Sequence, residues 1–192
     1  MWQQISFLML VCFSPACVFA GKLHGTISAT EEIKESQAAT VVWVEGLKDD
    51  ESKTQSPTIS QSGLQFLPRV LAVSVGQTIQ FPNEDDVSHN VFSLSEAKKF
   101  KLGIYPKGES RDVTFEKVGV IDLFCSIHRH MHAVIVVTPS SHYSQTEIGK
   151  RYEIENIPSG KHTLKIWNSK LKVITKEFEM PANGSLELNL SL

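Results

Sequence analysis

From Gly21 to Leu192 the chain is written in short apolar runs separated by turn residues, and no window holds the 3.6-residue period of an amphipathic helix. The clearest run is "SLELNLSL" (185–192), where Leu186, Leu188, Leu190 and Leu192 alternate with polar residues. A period of two places such leucines on one face of an extended strand. In "VLAVSV" (70–75) Leu71, Val73 and Val75 share a face, and in "RDVTFEKV" (111–118) Val113 and Phe115 point in while Asp112, Thr114 and Glu116 point out. This spacing predicts an all-β chain built as an antiparallel sandwich.

The predicted strands are 22–28, 40–47, 70–75, 77–83, 89–94, 111–118, 120–125 and 133–138, with four more in the tail: "YEIENI", "KHTLKIW", "LKVITKEFEM" and "SLELNLSL". Turns at "PSG" (158–160) and "NG" (183–184) separate the last ones. Residues 48–63, "KDDESKTQSPTISQSG", are polar and turn-rich and read as a weakly ordered loop, and 139–151 read as a second polar connector. The expected division is a region over 64–139 and a small second β-domain over 140–192. About four tail strands are too few to cover both faces of a sheet. The strands within 21–47 are therefore expected to be shared with the tail or with the region before it.

The first twenty residues, "MWQQISFLMLVCFSPACVFA", hold no Asp, Glu, Lys or Arg and end in Val18-Phe19-Ala20. That is the pattern of a secretory signal cleaved near Ala20. An uncleaved anchor is the alternative, opposed by the interruption at Ser14-Pro15 and by a short apolar core. A lipid-modified Cys17 is a third option, for which Ser14-Pro15-Ala16 is a poor lead-in. Export to the periplasm, with no stable membrane span afterwards, is the expectation. A net charge of −2 gives no footing for nucleic acid.

Of three cysteines, Cys12 and Cys17 would leave with the signal, so Cys125 would stand alone in an oxidising compartment. Its surroundings are "LFCSIHRHMHAVIVV" (123–137), with the spacing Cys125-x-x-His128-x-x-Met131. His89, in "PNEDDVSHN", adds a second imidazole at the start of a strand. Two imidazoles, a thiolate and a thioether suit one copper ion, since sulfur favours Cu(I) and imidazole accepts both oxidation states. Structural zinc seldom recruits methionine. A bridged binuclear centre would need a second cysteine.

The segments "LQFLPRVLAVSVGQTIQFPNEDDVSHNVFS" and "FEKVGVIDLFCSIHRHM" resemble the cupredoxins, the plastocyanin and amicyanin type of blue copper protein, with a ligand loop of amicyanin length. The resemblance implies a Greek-key β-sandwich and copper held by His89, Cys125, His128 and Met131. It also implies that Asn90 ties the two ligand loops together. "FSLSEAKKFKLGIYPKGES" and "IPSGKHTLKIWNSKL" extend the resemblance to exported bacterial proteins labelled methylamine-utilization proteins. In those a tail like a carboxypeptidase regulatory or transthyretin-like domain follows the cupredoxin region. The label implies little chemistry, because function is argued from the site.

His128, His130 and His132 would share a face if "HRHMH" were extended, giving a three-histidine site for Cu(II), Ni(II) or Zn(II). Otherwise His130 and His132 are expected at the exposed edge of the ligand loop as accessory metal or docking residues. Trp43 and Trp167 are expected in a sandwich core, and "EDD" (84–86) as a solvated turn. Three functions remain open: a non-enzymatic single-electron carrier meeting a redox partner protein, a copper-delivery protein using "HRHMH", and a secreted interaction module without stoichiometric metal.

Overall fold

The structure is a computed structural model and describes residues 20–30, 39–48, 56–182 and 184–192. The expected signal over 1–20 falls almost wholly outside the described residues, as do 49–55 of the polar loop. All regular elements described are strands. No helix among the described residues is long and apolar enough to cross a membrane.

Two N-terminal strands, β1 (Ala20–Ser28) and β2 (Ala39–Val44), come first. Nine strands follow: β3 (Ser60–Gln61), β4 (Phe66–Leu67), β5 (Val70–Ser74), β6 (Thr78–Pro82), β7 (His89–Ser93), β8 (Phe100–Tyr105), β9 (Ser110–Thr114), β10 (Gly119–Phe124) and β11 (His132–Thr138). The tail holds β12 (Tyr143–Glu147), β13 (Arg151–Pro158), β14 (Gly160–Asn168), β15 (Leu171–Met180), β16 (Ser185–Glu187) and β17 (Leu190–Ser191).

One sandwich sets a five-stranded sheet, in the order β5-β11-β10-β7-β8, against the β6–β9 pair and the β3–β4 hairpin. Single bridges at Thr58–Gln80 and Gln61–Asn83 join the hairpin to β6. Its core contains Phe66, Phe81, Phe115, Ile121, Leu123 and Ile135. The second sandwich packs a sheet of β13, β1, β16 and β17 on a sheet of order β12-β2-β14-β15, around Leu23, Val42, Tyr152, Ile154 and Leu164. Both N-terminal strands thus pair with strands of the tail.

A third apolar layer joins the two sandwiches: Val41, Trp43 and Trp167 from one side meet Ala72, Val134 and Val136 from the other. This explains why "TVVWV" and "AVIVV" read as unbroken apolar runs. Both strands are buried on both faces, and alternation appears only where one face meets water. In β11, Ile135 and Val137 enter the first core while Val134 and Val136 face the shared layer. Trp43 and Trp167 therefore pack between sandwiches rather than within one.

The exposed edge of β5 is closed by polar side chains from β12. Gln145 accepts from the Ala72 amide at 2.8 Å and donates to the Val70 carbonyl at 3.0 Å, and the Tyr143 hydroxyl donates to the Ala72 carbonyl at 3.0 Å. A strand edge left open invites non-native pairing, and these bonds occupy it.

Two further expectations differ from the structure, and one strand carries an irregularity. The connector over 139–151 contains β12, a strand without aliphatic alternation because its glutamine and tyrosine serve a neighbouring backbone. The loop over 48–63 contains β3, and Ile59 and Gln61 are fully buried, so its described part is built into the first sandwich. In "YEIENI" the alternation breaks at Asn156, whose φ of 61° marks the left-handed conformation. There β13 carries an extra residue against β1, and Ile157 instead of Asn156 faces the core.

Candidate metal centre

Antiparallel pairing puts the first residue of β7, the last of β10 and the first of β11 at one end of the five-stranded sheet. His89 opens β7, Cys125 follows β10 directly, and residues 126–130 form a turn back into β11. The result is convergence: ligating atoms of His89, Cys125 and His128 all lie within 4.8 Å of one another. The two Nδ1 atoms of His89 and His128 are 3.0 Å apart, with rings at 67°. His89 and Cys125 are buried, and His128 is half-buried.

Met131 is buried and packs in the same apolar cluster as Cys125, and its amide donates to the His128 carbonyl at 2.9 Å, closing the turn. Asn90 spans the two loops: its Oδ1 accepts from the Ser126 amide at 2.8 Å, the Ser126 hydroxyl at 3.1 Å and the Cys125 thiol at 3.3 Å. Three bonds on one buried oxygen pin the cysteine loop to β7.

Because 126–130 is a turn, His128, His130 and His132 do not line one strand face. His130 is exposed, with its ring 6.3 Å from that of His128. His132 is also exposed, stacks on Phe124 at 5.1 Å and bonds through Nε2 to Asp122 at 2.9 Å. The three-histidine arrangement is not formed.

Asp85 was not marked out by the sequence, where it sits inside a run that reads as a solvated turn. It is 14% exposed, and its Oδ2 lies 2.8 Å from His89 Nε2. Burial alone would raise its carboxyl, but hydrogen bonds from Leu64, His89 and Gly63 hold it below the usual carboxylate range. The one available signal was spacing: an acid four residues before a candidate ligand histidine. Beneath the site Asn83 organises the same loop, donating to the carbonyls of Val87 at 2.9 Å and Tyr105 at 3.0 Å. The Tyr105 hydroxyl donates to Phe81 O at 2.9 Å, and burial pushes this phenol up to about 12.

The donor set fits a single copper ion. With Nε2–H committed to Asp85, His89 presents a bare Nδ1, so the short contact to His128 requires a proton on His128 Nδ1. A metal cation would replace that proton and the thiol proton, gaining two imidazoles and a thiolate without moving a strand.

A family model described as copper binding proteins, plastocyanin/azurin family, matches residues 53–138, fewer than half of the 192 residues. No curated protein matches the chain. Among solved structures, a copper-containing nitrite reductase from Thermus scotoductus SA-01 is 30% identical over 45% of this chain, with a TM-score of 0.43. The chain spans 23% of that reductase. A Cu(I) amicyanin variant is 19% identical, covering 50% of this chain and 98% of its own, with a TM-score of 0.42. A purple cupredoxin from Nitrosopumilus maritimus is 24% identical over 43% of this chain and 100% of its own, with a TM-score of 0.39. The described regular elements are all strands, and the His-Cys-His cluster lies in the first sandwich, within the span that is similar to the plastocyanin/azurin family of copper binding proteins.

Proposed function

We propose that the protein is an exported, periplasmic carrier of single electrons, with one copper ion held by His89, Cys125, His128 and Met131. The observation that carries this reading is the convergence of three ligand atoms within 4.8 Å on two loops tied by Asn90. When bound, copper supplies a one-electron couple between Cu(I) and Cu(II). The chain's part is to keep the ligand positions nearly the same for both states: Asn90 anchors the cysteine loop, Asp85 orients His89, and burial excludes water. Four protein ligands leave no open position for a substrate, which argues for a carrier rather than an enzyme. The tail sandwich serves as a structural or docking module, and a redox protein is the partner.

Copper delivery is the second reading, favoured by exposed His130 beside the half-buried His128. Visible absorption and electron paramagnetic resonance of the protein with one equivalent of Cu(II), beside Cys125→Ser, decide between them. The carrier reading expects an intense thiolate-to-copper band and narrow copper hyperfine splitting, both lost in the variant. A pale spectrum indifferent to Cys125 would move the metal to the surface histidines and the function to copper handling.

A further inference from the structure

The hairpin joining β3 and β4 turns through Gly63 and Leu64, both left-handed, with φ of 63° and 58°. For glycine this is free. For leucine it costs roughly 1 kcal/mol. The turn also closes on itself, with Ser62 and Gln65 exchanging backbone bonds at 3.0 and 3.3 Å. Two successive left-handed residues point their amides the same way, making a small concavity for an anion. The Asp85 carboxylate fills it: Gly63 N donates to Oδ1 at 2.6 Å and Leu64 N to Oδ2 at 2.9 Å.

The same Oδ2 lies 2.8 Å from His89 Nε2, and Asp85's own amide donates to Asn83 Oδ1 at 3.0 Å. The carboxylate therefore accepts two backbone amides, and its own main chain is tied by a third bond, before it meets the imidazole. Asp86, the next residue, is the opposite case: its side chain is 90% exposed and pairs with Lys107 at 2.7 Å. Two adjacent aspartates carry the same charge, and one of them is built into the centre.

We propose that Asp85 is a positioning residue for the metal centre: clamped by the Gly63–Leu64 turn, it holds the Nε2–H tautomer of His89, commits Nδ1 to the ion, and favours Cu(II) over Cu(I). This rests on the copper reading above. An ionised carboxylate accepting the imidazole N–H strengthens the other nitrogen as a donor, and a fixed negative charge near the ion favours its higher charge. The strained hairpin, distant in sequence from every candidate ligand, is thereby part of the site.

The test compares the wild-type protein with Asp85→Asn, Asp85→Glu, Asp85→Ala and the control Asp86→Asn. In the metal-free proteins, nitrogen-15 NMR of the histidine rings reports the tautomer of His89. Wild type and Asp85→Glu should hold Nε2–H, and Asp85→Ala should show a tautomer mixture. In the copper-loaded proteins, redox titration should show the Cu(II)-to-Cu(I) affinity ratio falling at least tenfold in Asp85→Asn, an upward shift of about 59 mV or more. Asp86→Asn should shift it far less, and Asp85→Glu should restore most of the wild-type value.

Equal potentials for Asp85→Asn and Asp86→Asn, or an unchanged His89 tautomer in Asp85→Ala, would overturn the proposal. Absence of a Cys125-dependent copper spectrum would sink the copper reading instead, while the metal-free tautomer measurement would still judge Asp85.

Discussion

The two sandwiches solve their interiors differently. The core of the second is aliphatic and aromatic, and among the described residues its buried polar side chains are one neighbouring pair, Asn168 donating to Thr40 at 2.8 Å. The first carries Gln61, Ser74, Asn83, His89, Asn90, Ser93 and Thr138 in its interior, of which Gln61, Asn83, His89 and Asn90 gather toward the ligand end around Tyr105. Burying a polar group costs stability unless it is bonded, so packing alone would not collect so many there. The contrast sets a sandwich with an almost wholly apolar interior against one that gathers bonded polar side chains around a candidate metal site. It also raises the question of how tightly the shared layer couples them.

The largest expected effect comes from breaking that layer. Val136 lies buried between the sandwiches. Val136→Asp puts a charge there with no partner, at a cost of about 4 kcal/mol or more. In the wild type, urea unfolding followed by tryptophan fluorescence and by the copper band should give one midpoint, raised as a whole by copper. In Val136→Asp the two signals should separate, with copper leaving the tryptophan midpoint unmoved. Coincident transitions in the variant would mean that the layer contributes little to coupling.

How much of this was legible in the chain depended on whether a residue's chemistry shows in its own neighbourhood. The candidate ligands were readable as a set because Cys125, His128 and Met131 lie within one loop, and His89 with Asn90 resembled a known pattern. β2 and β11 were readable as strands from their unbroken apolar runs. What covers their second faces was not, because that depends on pairing between distant segments. Beyond its spacing from His89, Asp85 was not legible for the same reason: its clamp comes from Gly63 and Leu64, at the end of a stretch that reads as a loose polar loop. β12 was missed because "YSQTE" stabilises through side chains bonded to β5 rather than through an apolar face.

A pair of asparagines tests the contrast more finely. Asn90→Ala removes an acceptor used by Ser126 and Cys125, and Asn168→Ala removes a donor to Thr40 and an acceptor for the Lys170 amide at 2.9 Å. Each should cost about 1–3 kcal/mol in urea denaturation. Only Asn90→Ala should also alter the copper spectrum and weaken copper retention. If Asn168→Ala changed the spectrum equally, the division of labour between the sandwiches would fail.

Gln145→Ala addresses the seam itself. It leaves the Ala72 amide and the Val70 carbonyl to water, at about 1 kcal/mol. Equilibrium unfolding would register this as a small midpoint shift with the copper band unchanged. A spectral change would show that the β5 edge transmits strain to the site.

The smallest effect is expected far from the metal. Glu153 on β13 faces Lys22 on β1, and that contact holds its carboxyl below the ordinary glutamate value of 4.5. A depressed carboxyl contributes stability above its unfolded value and loses it as pH falls through the folded one. The wild type should therefore lose slightly more stability than Glu153→Gln on descending from pH 5 to 3. Both side chains are well exposed, at 43% for Glu153 and 38% for Lys22, so water and salt screen the pair. The difference should shrink further as salt is added. Urea midpoints across that pH range measure it, with the copper potential as a control that should not move. A large acid effect here would mean that the second sandwich depends on charge rather than on its apolar core, and the contrast with the first would have to be redrawn.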